Sequence, residues 1–348
     1  MISSELAAID SLVVHKVGSK SAEEDIRFSK SALRTNEHIN KLLISYFLTP
    51  FKSEEYFNLS HDSDLSLNEV YSYVSEIFDH PETLYEQSVN LAKHLYENSA
   101  HPKIKAGEFY VVYFNDCIVD GEQVDAVGIF KSESKETYLR VMPTPDNYEI
   151  DSEAGININK LDKGCLVFNT EKENGFLVAV VDNLSKGTEA QYWFDHFLHV
   201  RQREDIYFQT QTAIKLCKDF VTKKMPEEFK MDKADQAELL NKSAEFFKEH
   251  DNFDFEDFST EVMQEPQIIE SFKNHREAYE YDNQVKFEDS FDISAPAVKK
   301  TSGTLKSVIK LDKNFHIYVH GNRDRIKKGY DEETGMNYYQ LFFEEEKD

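Results

Sequence analysis

Three constellations in this chain of 348 residues could do chemistry. The first is Asp195-His196-x-x-His199. Residues three apart share a helical face, so two imidazoles and a carboxylate could meet a metal ion there. The surrounding run from Tyr192 to Leu198 is dominated by aromatics, and its simpler reading is a helix or turn docking between domains. The second is Asp125 with Glu133-Ser134-Lys135. In metal-dependent nucleases such carboxylates hold magnesium and the lysine helps orient the attacking water. Residues 131–136 read as a polar hairpin turn, however, and E-x-K is common by chance. The third is a basic stretch near the C-terminus. Lys299, Lys300, Lys306, Lys310, Lys313, Arg323, Arg325, Lys327 and Lys328 fall within residues 296–330, opposed only by Asp312 and Asp324. Such a segment can neutralise phosphates. His316, His320 and Tyr330 stand close enough in sequence to add hydrogen bonds or stacking.

The remaining reactive residue types read as structural. His15 is alone on an apolar stretch and is better placed as a structural or surface residue than as a general base. Cys117, Cys165 and Cys217 lie about fifty residues apart with no C-x-x-C pair, which argues against a disulfide framework or structural zinc. Cys217 falls on the apolar side of its predicted helix, as a buried inert thiol would. No G-x-G-x-x-G, G-x-x-x-x-G-K-[ST], H-E-x-x-H or G-x-S-x-G motif occurs. With only 12 glycines there is little hardware for a phosphate-cradling loop.

Charge is strongly segregated. The net charge is −25, from 40 basic and 65 acidic side chains. Residues 296–330 carry +7, so the rest of the chain carries −32. As a whole, such a molecule repels nucleic acid and anionic membranes; either a focused contact by the basic segment overcomes that, or another protein carries the chain to DNA. Residues 245–292 hold fifteen acids against four bases. They read as a solvated face, as the partner of the basic stretch, or as an imitation of DNA's phosphate charge offered to a basic protein.

The elements that must position these residues fall into two groups. Residues 6–17 read as an opening strand. Residues 35–47, 68–79 and 81–96 have apolar side chains at helical spacing. Residues 108–119, 123–131, 137–142, 164–170 and 176–181 read as short strands, with turn signals at Asp120-Gly121 and Asn174-Gly175. Joined by turns, they predict a mainly antiparallel meander. Helices are then expected over 205–222, 232–250 and 266–281. Strands are expected around 286–291 and 315–320, and a last hairpin turns at 332–335. The fold class is therefore α+β. Residues 1–185 form an antiparallel sheet with helices, and residues 186–348 form a mainly helical domain ending in a small basic sheet region. The longest apolar runs are six residues, at 109–114 and 176–181, far short of the ~20 of a spanning helix. The first thirty residues lack a secretory pattern. A soluble, reducing, cytoplasmic setting is expected.

Several of these segments, in this order, resemble the bacterial nucleoid-associated protein family of the NdpA (YejK) type. The resemblance rests on Leu12-Val13-Val14-His15 at the start. The central strands follow with Gly107-Glu108-Phe109 and Val127-Gly128-Ile129-Phe130. Next come Tyr192-Trp193-x-x-x-Phe197-Leu198 and Asp205-x-Tyr207-x-x-Thr210. Phe287-Glu288-Asp289-Ser290-Phe291 and the 305–328 segment complete it. The resemblance implies nucleoid association and binding of double-stranded DNA, without a known enzymatic reaction or established catalytic residues; no metal or cofactor is expected. On that reading Lys299, Lys300, Lys306, Lys310, Arg323, Arg325, Lys327 and Lys328 contact phosphates. DNA-processing proteins are further candidate partners, and a homodimer would gain avidity from two basic segments. The alternatives are an acidic adaptor or DNA mimic acting on nucleic-acid enzymes, and a metal-dependent nuclease.

Overall fold

A computed structural model describes residues 2–184, 192–229, 231–305, 308–319 and 323–346. The chain divides into two compact units, Met1–Arg203 and Glu204–Asp348. Both mix helices with antiparallel strands, so the fold is α+β.

The first unit runs β1 (Ile2–Ser3), β2 (Ala8–Val17), α1 (Glu37–Leu48), β3 (Phe57–Leu59), α2 (Glu69–Asp79) and α3 (Leu84–Glu97). It continues with β4 (Gly107–Val119), β5 (Glu122–Ser132), β6 (Glu136–Pro143), β7 (Tyr148–Gly155), β8 (Lys163–Phe168), β9 (Leu177–Asp182) and β10 (Val200–Gln202). Eight strands form one antiparallel sheet. β1 and β2 share one edge of β4, and the order continues β4-β5-β8-β9-β3-β10.

Alternation along β4 splits its side chains between two cores. Phe109, Val111 and Tyr113 join Val70, Val74 and Ile77 of α2 and Leu91, Ala92 and Leu95 of α3. Tyr110, Val112 and Phe114 join Tyr46, Phe47 and Leu48 of α1. A sheet covered on both faces needs strands that are apolar on both sides, which is why its central strands read as unbroken apolar runs. Asp120 and Gly121, at φ 51° and 85°, close the β4–β5 hairpin as a two-residue turn whose twist matches the strands. Gly175 combines a φ of 96° with close approach, since a Cβ there would lie 1.9 Å from the Leu59 carbonyl oxygen.

One expected strand leaves the meander. Residues 137–142 pair with β7 in a separate hairpin, and β8 takes the place beside β5. A central position needs two apolar faces. β8 has them, whereas Arg140 and Glu136 charge one face of β6. The other face of this hairpin carries Leu139, Val141, Tyr148 and Ile150, all exposed.

The second unit contains α4 (Ile206–Asp219), α5 (Met225–Glu228), α6 (Lys233–Glu249), β11 (Asn252–Asp254), α7 (Phe255–Phe258), α8 (Pro266–Asn283), β12 (Ser290–Asp292) and α9 (Ala295–Thr301). It ends in β13 (Val308–Leu311), β14 (Phe315–Tyr318), β15 (Ile326–Asp331) and β16 (Met336–Leu341). Its core is aromatic: Phe220, Phe246, Phe247, Phe253, Phe255, Phe258, Phe272 and Phe291 share one cluster. Of the strand expected around 286–291 only the end forms, because Arg276 sits 4.4 Å from the Phe287 ring and donates to the Phe287 carbonyl at 2.8 Å. That carbonyl is therefore diverted from a ladder. No helix among the described residues is long and apolar enough to cross a membrane.

Phe130 tests the α1-side core. It is fully buried and stacked on Phe47 at 4.2 Å. Phe130→Ala should lower stability by about 3–5 kcal/mol. Urea unfolding followed by emission of Trp193, the one tryptophan and a buried residue of this unit, measures it.

Candidate nucleic-acid interface

Helix α6 organises the basic end of the chain. Asp232 caps it, accepting the N–H groups of Ala234 at 2.8 Å and Asp235 at 2.9 Å, and the Asp235 carboxylate returns to the Asp232 N–H at 2.8 Å. Ala234 and Ala237 leave a shallow surface on its side. Ile309, Val319 and Ile326 pack there, with Leu311, Ile317 and Tyr339 around them. Both terminal hairpins thus rest their apolar faces on one helix. Strand alternation then turns the other faces outward. Lys310 is paired with His316 and Val308 with Tyr318 on the outward face of β13–β14. Lys327 and Tyr338 stand on that of β15–β16.

The eight expected contact residues have different fates. Lys299 and Lys300 are exposed in the last turn of α9, where the helix dipole favours cations. Lys310, Lys327 and Lys328 are exposed on their strands. Lys299, Lys310 and Lys328 have no carboxylate at ion-pair distance among the described residues. Lys327 lies 5.4 Å from the Phe342 ring centroid. Arg325 pairs with Glu344 at 2.6 Å. Arg323 is committed inward. It donates to Asp235 at 2.6 Å, to Asp232 at 2.9 Å and to the Ile326 carbonyl. Burial works against the Asp235 carboxylate, but the Arg323 guanidinium and the Asp232 N–H outweigh it and hold its carboxyl below the usual carboxylate range. Arg323 therefore ties the start of β15 to the cap of α6. Lys306 and His320 lie outside the described residues.

Two further lysines were not singled out by the sequence reading. Lys215 and Lys218 are exposed on α4 and line a cavity of about 720 Å³ with Thr304, just past α9. The Ser294 N–H at the start of α9 donates to Thr210 of α4 at 2.9 Å, which holds the two helices together. The signal was present in sequence as two lysines three apart on a helix, but the basic stretch lies some eighty residues downstream. Asp219 and Asp282 share this cavity, so it is mixed in charge.

The other constellations are not assembled. Asp195 and His196 are exposed, His199 is half-buried, and no group of three His, Cys, Asp or Glu among the described residues could hold a metal. Asp125 accepts from Tyr113 at 2.9 Å near the start of β5, whereas Glu133 follows its end. Eight residues of extended strand separate them by about 26 Å. Lys135 is spent on Glu108 at 2.6 Å. Glu133 belongs instead to a buried ionic network. Lys131 and Lys163 face each other across β5 and β8, both essentially without exposure. Lys131 bonds Glu133 at 2.9 Å and Lys163 bonds Asp182 at 2.6 Å. Asp162 accepts the N–H groups of Glu133 and Ser134, and Tyr192 donates to Glu133. Burial lowers the Lys131 pKa despite the Glu133 charge beside it. Two ammonium groups thus stand among three carboxylates, Glu133, Asp162 and Asp182, at the ends of these strands.

His15 is likewise structural. Its Nδ1 accepts the Ser29 N–H at 3.1 Å, which leaves the proton on Nε2, donated to Ser88 Oγ at 2.9 Å. A ring in that tautomer cannot take a proton from Ser88. Burial pushes its pKa from 6.5 down to about 4. The three cysteines are buried free thiols, and desolvation raises the pKa of each, that of Cys117 to about 12.

Residues 13–336 match the model of the family described as nucleoid-associated protein YejK. The chain belongs to this family. A comparison with curated proteins returns no match.

Two outcomes follow from these contacts. Arg323→Ala should cost about 1–3 kcal/mol, the scale of charged hydrogen bonds, and speed amide hydrogen exchange across Ile326–Asp331. His15 binds a proton more readily unfolded than folded. Its contribution to stability is therefore complete above pH 6.5 and is lost as pH falls from there toward about 4. Trp193-monitored melting from pH 7 to 5 should fall more steeply for the parent chain than for His15→Asn, which keeps an acceptor for Ser29.

Proposed function

We propose that this chain is a non-enzymatic nucleoid-associated protein that touches the DNA backbone through the exposed lysines of its C-terminal region. One observation carries the reading. In a chain of net charge −25, Lys299, Lys310 and Lys328 stand exposed with no carboxylate partner among the described residues. Lys300 and Lys327 are exposed beside them in sequence. Surface cations in an acidic protein are readily neutralised by its own carboxylates, so cations left unpaired are available to an external polyanion. The contact is to phosphate, and hence independent of base sequence. Lys306 belongs to the proposed set by its place in the segment. Arg323 belongs as the residue that positions β15, and Arg325 through the part of its charge that Glu344 leaves.

The acidic-mimic alternative draws less support. Within residues 245–292, Glu256 is engaged by Lys273, and Glu280 and Asp289 by Arg276. Those carboxylates are partly neutralised where they stand. The nuclease alternative loses its carboxylate set, since Asp125 and Glu133 stand at opposite ends of β5.

The test is fluorescence anisotropy on a short duplex. Affinity should fall with salt with a log–log slope of about −5 to −6, near 0.9 for each of six lysines with a small addition from Arg325. Lys299→Gln, Lys310→Gln, Lys327→Gln and Lys328→Gln together should flatten that slope to about −2, the share of Lys300 and Lys306, and weaken binding at least ten-fold at low salt. An unchanged slope would remove these lysines from the interface. Arg323 is left intact, so that lost binding is not confused with a lost hairpin.

A further inference from the structure

The outward faces of the terminal hairpins carry more than charge. On β15–β16 the alternation places Met336, Tyr338 and Gln340 in one row, continued by Phe342 just past the strand. Lys327, Gly329 and Asp331 lie opposite. Tyr338 lies directly against Gly329, where an added Cβ would come within 2.2 Å of the ring. One face of that ring is therefore seated on backbone, and the residue is still 49% exposed. On β13–β14 Tyr318, 61% exposed, stands beside Lys310 and His316 on the corresponding face. Each hairpin thus repeats one arrangement: an uncovered tyrosine ring with a lysine on the same face.

An uncovered aromatic row beside cations suits a ligand with flat apolar surfaces and regular negative charge. Duplex DNA supplies the charge, but its bases are already stacked on each other. Unpaired nucleotides supply both. An ordinary acidic protein surface would answer the lysines but not the rings. A second copy of this acidic chain would answer the lysines in the same way, but without the regular spacing of charge that a phosphate backbone has.

We propose that these two faces form a site for single-stranded nucleic acid, with Tyr318 and Tyr338 stacking on unpaired bases and Lys310 and Lys327 holding the adjoining phosphates. This rests on the reading that the C-terminal lysines meet nucleic-acid phosphates, and it names the form of nucleic acid that the same site prefers. Glu344 is drawn to Arg325 beside this face, and Asp331, at the turn end of the face itself, accepts from the Glu333 N–H at 3.0 Å and the Thr334 hydroxyl at 2.7 Å. Gly329 is a positioning residue, since any side chain there would lift the Tyr338 ring.

The experiment compares a labelled oligothymidylate of about twenty nucleotides with a duplex of equal length, using the full chain at one salt concentration. The single strand should bind more tightly. Tyr318→Ala with Tyr338→Ala should weaken the single strand at least ten-fold, since stacking contributes appreciably for each base, and change duplex binding less than two-fold. Tyr338→Phe should bind like the parent, which separates loss of stacking from loss of fold. Gly329→Val should weaken only the single strand. Tighter duplex binding, or single-strand affinity indifferent to the double substitution, overturns the proposal while leaving the phosphate contact standing. Binding of neither nucleic acid overturns both. If the double substitution instead turns a dimer into a monomer in sedimentation without altering oligonucleotide affinity, the face belongs to a second copy and the proposal fails.

Discussion

The basic end of this molecule depends on one guanidinium held by one helix cap. Asp232 and Asp235 already satisfy the first amides of α6, and Arg323 closes on the same two carboxylates while binding the Ile326 carbonyl. Two short hairpins have little stability of their own, since an isolated two-stranded ribbon is marginal in water. Here each needs only one apolar face covered, and Ala234 and Ala237 are small enough to let both lie close. The clamp sets where β15 starts, and the pleat decides which residues face out. A one-residue slip would bury Lys327 and expose Ile326.

The first unit obeys a different constraint. Its sheet is covered by α1 on one face and by α2 and α3 on the other. Polar groups at the strand ends are then drawn under cover as well. Lys131 and Lys163 meet directly across the ladder, an arrangement that like charges disfavour. Glu133, Asp182 and Asp162 stand around them, and Tyr192 brings its ring to 5.0 Å from the Lys163 ammonium. Breaking such a buried pair is far more costly than never having had it. Removing one partner of either pair would therefore leave a buried charge uncompensated.

The proposed contact with a polyanion sets a long-ranged repulsion against short-ranged contacts. Repulsion from the bulk is long-ranged but screened beyond about 8–10 Å at ordinary salt. Contact energy from unpaired lysines and uncovered rings is short-ranged. The same balance makes any binding steeply dependent on salt.

Much of the fold was legible in the sequence. Apolar period and capping residues marked α1, α2, α3, α4, α6 and α8, and Asp120-Gly121 marked its hairpin, because those signals act over a few residues. Three-residue strands such as β3 and β10 have no period to read. The departure of residues 137–142 into a separate hairpin turned on which strand could be apolar on both faces, a competition between distant segments. The basic segment was equally legible as composition. Its division into an inward Arg323, a paired Arg325 and outward lysines was not. Nor was the approach of Lys215 and Lys218 to the turn after α9, or the meeting of Lys131 with Lys163. Local sequence determines which residues are charged and which way a strand alternates. Only tertiary packing decides which face is covered, and so which charges are consumed inside the protein and which remain for a ligand.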